Sequence, residues 1–338
     1  MHVAAPNPIV AERPMYFNFR GWSGGDDVVG AKSLGKIFYF AEGYVGDNFA
    51  EFLTLANPGL APADVKVEYF STSGPLPAFV HPVAARSRLT IQVSSDVGVA
   101  GPVSIKVTSD QPIVAERPMY FDFNGLTGGH VVIGARDGAR SVNLAEGHVN
   151  SAFFEYLTML NPGVHDTLAT VTFYPSAGGA ATTVRLAVPA GTRQTLSVNA
   201  VLPSGTSHST NVAADQPLIV ERPMYFDYLG RTGGHDALAA ADDQMSTSAL
   251  FAEGYTGGGF NEYLTVLNRS NQAAAGIVTY YFTDGHTVSV PHDFAASSRT
   301  TIHVGDPGEA GLGESVSVAI SVTNGVAILV ERPIYFSF

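Results

Sequence analysis

The sequence contains no cysteine, which removes disulfide frameworks, thiolate metal sites and cysteine nucleophiles together. Lysine is almost as scarce, present only at Lys32, Lys36, Lys66 and Lys106. With a formal net charge of −12, the chain has no basic stripe to meet a phosphate backbone, so nucleic acid is not an expected partner. Charge of either sign is sparse, at 14% of residues, where an ordinary soluble domain has about 25%. Long apolar runs are missing too. No stretch approaches the ~18 residues of a spanning helix, and Val326–Val330 is only strand-length, so membrane insertion is not expected. Met1–Pro8 has neither the basic start nor the apolar run of a signal peptide, which leaves room for the mature or an excised part of a secreted protein. The hydrophobic share of 45% is too high for a disordered chain.

Catalytic and cofactor signatures are equally absent. The chain has no G-x-S-x-G, no H-E-x-x-H and no phosphate-binding loop. The ten histidines include no H-x₃-H pair on one element, so zinc is not expected. No cofactor is expected. Helical periodicity is also missing; the best stretch, 242–252, amounts to a turn or two.

What is present is repetition. One string occurs four times, at Pro8–Phe19 (PIVAERPMYFNF), Pro112–Phe123 (PIVAERPMYFDF), Pro217–Tyr228 (PLIVERPMYFDY) and Ala327–Phe338 (AILVERPIYFSF). Its glutamate recurs at intervals of 104, 105 and 110 residues, the size of a small domain. Gly24-Gly25, Gly128-Gly129 and Gly233-Gly234 follow three of the four copies. An Ala-Glu-Gly segment recurs at Glu42, Glu146 and Glu253.

Within each repeat the apolar period is two, as in Val65-Lys66-Val67-Glu68-Tyr69 and Val103-Ser104-Ile105-Lys106-Val107. Turn signals such as Asn57-Pro58-Gly59 and Asp110-Gln111-Pro112 separate the runs. Short β-branched runs between closely spaced turns predict an all-β fold, a tandem array of three immunoglobulin-like β-sandwich modules with one surplus terminal strand. The expected boundaries are 1–30 for an orphan edge strand and Gly-Gly loop, then 31–125, 126–230 and 231–338 for the modules.

The rare charges recur in register. Glu42, Glu146 and Glu253 lie in the Ala-Glu-Gly segments, and Glu51, Glu155 and Glu262 in the strands that follow. Arg88, Arg193 and Arg299 open a later strand. The repeated string supplies Glu12-Arg13, Glu116-Arg117, Glu221-Arg222 and Glu331-Arg332. A carboxylate on an apolar strand is costly unless paired, so these residues predict a structural Glu–Arg network. Paired catalytic carboxylates are the competing reading, disfavoured because three identical active sites in tandem would be unusual. Pro14, Pro118, Pro223 and Pro333 each remove a ladder donor, which predicts an edge strand or a bulge.

The Gly-Gly pairs read as tight turns, where glycine supplies φ > 0. Asp26, Asp27 and Asp236 beside two of them are candidate oxygen ligands for calcium. Tyr44, His148 and Tyr255 occupy one equivalent place and Trp22 is the single tryptophan; exposed rings there could stack on a cell-surface glycan.

Four copies of one strand against three of everything else leave one strand without a partner sheet, a liability unless it is occupied. The surplus is an overhang, or the two ends pair within the chain and close it into a ring, or the strand enters a neighbouring chain and builds filaments. The segment order also resembles a functionally unassigned repeat module of large secreted or surface proteins from actinobacteria and Chloroflexi-type bacteria. The resemblance rests on Ala-Glu-Gly-Tyr, Asn-Pro-Gly, Glu-Arg-Pro-Met-Tyr-Phe and Gly-Gly-His-Asp, and covers nearly the whole chain. It implies a surface location and a β-sandwich, and no activity. The expected function is therefore a non-enzymatic extracellular structural protein whose partners are copies of itself, joined by a donor strand from 8–19 or 327–338. A glycan-binding adhesin, or a stalk module of a larger surface protein, is the alternative.

Overall fold

In the computed structural model, which describes residues 1–176 and 178–337, the regular secondary structure is almost entirely antiparallel β-strand. Phe338, the last residue of the third expected module, lies outside the described residues. Three immunoglobulin-like β-sandwiches follow one another. In the first, one sheet runs in the order Gly35–Phe40, Ser104–Phe123, Ala63–Ser71, Phe79–Val83. The facing sheet runs Leu126–Ile133, Ser104–Phe123, Phe49–Asn57, Ser87–Gln92.

The strand Ser104–Phe123 thus serves both sheets. Its pairing shifts register between Thr108 and Ile113, so Asp110-Gln111-Pro112, read as a turn, is where the strand crosses from one sheet to the other. Thr206–Tyr228 does the same in the second module. In the third module the crossing strand is split into Val316–Val322 and Leu329–Glu331.

Alternation places one face of each strand inside. Ala63, Val65, Val67 and Tyr69 are fully buried while Asp64, Lys66 and Glu68 point outward. Each apolar side chain buried this way stabilises by about 1.5–3 kcal/mol. Three separate cores result, around Phe38, Leu53 and Ile105, around Leu157, Phe173 and Val212, and around Leu264, Tyr280 and Val318. A buried asparagine fixes the same turn in each module. The Asn57 amide donates to the Ala61 and Val83 carbonyls and accepts from the Gly59 amide; Asn161 and Asn268 repeat the pattern.

Three expectations need correction. The Gly-Gly pairs are not turns. They lie inside the strands Trp22–Val29, Leu126–Ile133 and Arg231–Leu238. The turns precede them at Arg20-Gly21, Asn124-Gly125 and Leu229-Gly230, where φ is positive at both residues, as a two-residue hairpin of the strands' own twist requires. Of the proline strands, Glu12–Phe19 and the pieces Leu329–Glu331 and Ile334–Tyr335 lie at sheet edges as expected, but the other two do not. Residues 116–121 are flanked by Leu126–Ile133 and by Phe49–Asn57, and pairing to the latter lapses at Arg117 and Pro118 without a change of register. A missing donor is tolerated there because the ladder simply skips it. Finally, the boundaries at 125 and 230 cut hairpins in two: Leu126–Ile133 and Arg231–Leu238 are hydrogen-bonded into the sheets of the preceding modules.

Candidate functional site

The four copies of the repeated string come together in space. On a strand, adjacent side chains point to opposite faces, so a Glu and the Arg next to it cannot pair with each other. Each arginine instead reaches the glutamate of the next copy: Arg13 to Glu116 at 3.1 Å, Arg117 to Glu221 at 3.2 Å, Arg222 to Glu331 at 2.9 Å. The cycle closes when Arg332 reaches Glu12 at 3.1 Å, across 320 positions of sequence. The two ends of the chain therefore meet within the chain.

The glutamates also hold the neighbouring Ala-Glu-Gly segment. Glu221 accepts from the amides of Ala41 and Glu42, Glu331 from Ala145, and Glu12 from Ala252 and Glu253. Aspartates from the Gly-Gly strands add to two of the arginines: Asp236 lies 2.5 Å from Arg117, and Asp27 2.5 Å from Arg332. These charge-assisted contacts sit in a dry setting, with the Arg117 and Arg222 side chains fully buried. Burial works against the Arg117 charge, but Glu221, Asp236, Glu51 and Glu42 overcome it and hold its pKa above the ordinary guanidinium value. Crowding acts the other way on the acids. Burial, then the charge of Glu221, pushes Asp236 well up; burial, then Glu12, pushes Asp27 up to about 6.

The remaining network residues divide by position. Glu42 pairs with Arg193 at 2.6 Å between the first two modules, and Glu146 with Arg222 at 3.2 Å within the second. Glu253 contributes its backbone carbonyl to Arg332, and Arg299 donates to the Gly147 carbonyl. Three expected Glu–Arg pairings are not formed. Glu155 meets His208 at 3.1 Å instead. Glu51 and Glu262 form no ion pair with an arginine among the described residues; each buried carboxyl lies against a backbone amide, of Tyr44 and of Tyr255, and burial outweighs that contact and raises both to about 8. Both are closely shielded by a glycine, Gly43 and Gly254, where any Cβ would strike the carboxyl. Arg88 is exposed.

The hairpins stack through their glycines. A Cβ on Gly128 would stand 3.1 Å from the Gly233 Cα, and one on Gly24 3.4 Å from the Gly128 Cα. The phenylalanine ring of three of the four copies covers the next Gly-Gly strand: Phe17 lies 2.8 Å from a Cβ position on Gly129, Phe121 2.6 Å from that on Gly234, and Phe336 2.7 Å from that on Gly25. This close approach, not a turn, is what the conspicuous glycine pairs serve.

The expected calcium ligands are dispersed within this ring. Asp26 accepts from the Val131 amide at 2.7 Å, while Asp27 and Asp236 hold arginines. Among the described residues no group of three or more metal-capable side chains is placed to hold an ion. Of the candidate rings, Trp22 starts the second strand of the first hairpin beside Phe19, His148 bonds Ser207 at 2.8 Å, and Tyr255 packs on Phe260. Tyr44 lines an open cleft of about 610 Å³ between the first two modules, with Phe49, Phe123, Tyr156 and Tyr225, and with Glu42 at its wall. Glu51 is not among the residues lining this cleft.

No family model matches the chain, and no curated protein matches it. Among solved structures, it is similar to Thermotoga maritima 1070, at 12% identity and a TM-score of 0.30, over 31% of this chain and 96% of that one. It is similar to the Anabaena sensory rhodopsin transducer, at 23% identity and a TM-score of 0.24, over 25% and 87% of the two chains. It is also similar to the FN1–FN3 domains of chicken CNTN1, at 11% identity and a TM-score of 0.17, over 89% and 99%. These likenesses are too distant to bear on function.

Proposed function

We propose that this protein is a non-enzymatic extracellular structural subunit, of a cell surface or a filament, that joins its neighbours by exchanging its first hairpin. One observation carries the reading. Residues 12–29 form a two-stranded sheet of their own, held in place by side-chain contacts and hairpin stacking rather than by a shared ladder. The segment from Gly30 to Leu34 that ties this hairpin to the first module is exposed. The seat on the third module, made by Arg332 and the Ala252 and Glu253 amides, would accept the same hairpin from another copy with identical contacts. Exchange of that kind is heterologous and builds an open, head-to-tail chain. The surplus copy then becomes the connector.

Light scattering and negative-stain imaging across a concentration series test this. Shortening residues 30–34 stops the hairpin folding back and favours exchange, so the expected result is longer assemblies. Deleting residues 1–30 is expected to leave monomers only. Monomers at every concentration, with the linker intact or shortened, would sink the proposal.

A glycan-binding role is the second reading, favoured by the aromatic cleft at Tyr44. Rings with polar groups at their margin suit sugar faces. A glycan array should then give a hit that Tyr44→Ala weakens; an array without a hit removes the reading.

A further inference from the structure

The cleft between the first two modules is lined by a continuous run of aromatic rings. Phe123 stacks on Tyr225 at 4.3 Å, and Tyr156 stands edge-on to both at 6.1 and 6.2 Å. Phe49 links Tyr225 to Tyr44, at 6.3 and 4.8 Å. We propose that this cleft holds a hexosamine whose amine is free and charged, a sugar unit without an N-acetyl group. The inference rests on the glycan reading of the cleft and adds the charge of the ligand.

Hydroxyl groups are the first support. Tyr225 lines the cleft and is only 4% exposed, yet its hydroxyl makes no hydrogen bond among the described residues. Its counterpart at the next junction, Tyr335, donates to Glu146 at 2.7 Å. The Tyr156 hydroxyl is unpaired in the same sense, whereas its counterpart Tyr263 meets the Tyr228 hydroxyl at 2.6 Å. Phe123 stands in the place of Tyr228 and brings no hydroxyl to Tyr156. Two tyrosine hydroxyls that close on protein partners at one junction are therefore left for a sugar hydroxyl at the other.

Charge sets the sign of the ligand. Arg193 is the one base among the described residues that line the cleft. It is already engaged, 2.6 Å from Glu42 and 3.1 Å from the Ala41 carbonyl, so an acidic sugar would meet no free cation. Two carboxylates stand at the margin instead. Asp47 is exposed and has neither a hydrogen bond nor an ion pair among the described residues. Asp122 accepts the Gly125 amide on Oδ1 at 2.8 Å and keeps Oδ2 for a ligand. The Asp122 amide donates to the Asn48 carbonyl at 2.9 Å, which sets the two acids on adjoining segments. An ammonium gains from a carboxylate and from the face of an aromatic ring, and a sugar ring stacks on the same surface. Asp47 is particular to this junction, since Ser151 and Gly258 take its place in the other modules.

Calorimetric titration of the full chain near pH 6, where an amine is charged, compares tetramers of glucosamine, N-acetylglucosamine and glucose in one linkage. The expected result is saturable one-to-one binding of the glucosamine tetramer, about tenfold or more tighter than either neutral one. Asp47→Asn combined with Asp122→Asn should remove that preference, and Tyr44→Ala should weaken binding of all three. Asparagine keeps the acceptor for the Gly125 amide, so the double variant should melt with wild type. Equal affinity for a neutral tetramer would overturn the inference and leave the glycan reading standing. Binding that neither the Asp→Asn changes nor Tyr44→Ala affects would be general attraction to a chain of net charge −12, and would overturn it too. Absence of saturation with the glucosamine tetramer at millimolar concentration would do the same, while the glycan array decides the broader reading separately.

Discussion

At the residue scale the ring is governed by buried charge. Arg117 has no exposed side-chain surface and two carboxylates against it, so Arg117→Met strands Glu221 and Asp236 beside each other in a dry site. Breaking a buried pair from one side costs about 3–5 kcal/mol, and that loss should be visible in urea unfolding. The exposed pair Arg13–Glu116, with an arginine side chain 48% exposed, is the contrast, and Arg13→Met should cost about 0–1 kcal/mol. Glu51 and Glu262 behave differently again. Their folded values of about 8 lie above the unfolded ~4.3, so the folded state holds the extra proton. Stability from each is full below the unfolded value and is lost as pH rises towards 8, with a slope near ~1.4 kcal/mol per pH unit. Glu51→Gln and Glu262→Gln keep the shape without the charge. Melting temperatures from pH 5 to 9 should fall less steeply in both variants, and an unchanged slope would refute the assignment.

At the element scale the hairpins decide the architecture. Gly128→Ala would place its Cβ 3.0 Å from the Phe121 ring and 3.1 Å from the Gly233 Cα, with backbone on one side that cannot yield. Overpacking of that kind costs about 1–3 kcal/mol, and the variant should melt lower than wild type. Gly308→Ala, where nothing lies within 4 Å, should be neutral or slightly stabilising. The same hairpins mark the limit of what the sequence disclosed. Alternation in Val65–Tyr69 was enough to give the strands, the sandwich and the three cores, because a period of two has one structural meaning. The Gly-Gly pairs had two meanings, turn or close approach, and only the position of their neighbours separates them. Pro118 was misjudged for a related reason: a lost donor predicts an edge, but a ladder that skips two residues tolerates it in the middle of a sheet. The Glu-Arg adjacency did carry a usable signal, since neighbours on a strand face opposite ways and must find partners in other copies.

At the scale of the whole molecule, the closure between Glu12 and Arg332 joins the two ends and makes one ring of three modules and a hairpin. No local pattern announces a contact between the first and last copies; the unequal count of four and three was the only trace. Closure should be measurable as protection of the amides in Glu12–Phe19 against hydrogen exchange. Glu12→Gln and Arg332→Met each remove one side of the pair, and because the residues touch, the two losses should not add. Acid provides a second handle. Asp27, raised to about 6 by burial and by Glu12, sits above the unfolded ~3.9, so its folded form takes up a proton more readily. Hairpin protection should therefore be greatest near pH 4 and decline as pH rises through 6, and Asp27→Asn should level that decline. If protection in Glu12–Phe19 instead matched that of the free linker at every pH, the ring would be open at this joint, and the first hairpin would have no seat to exchange.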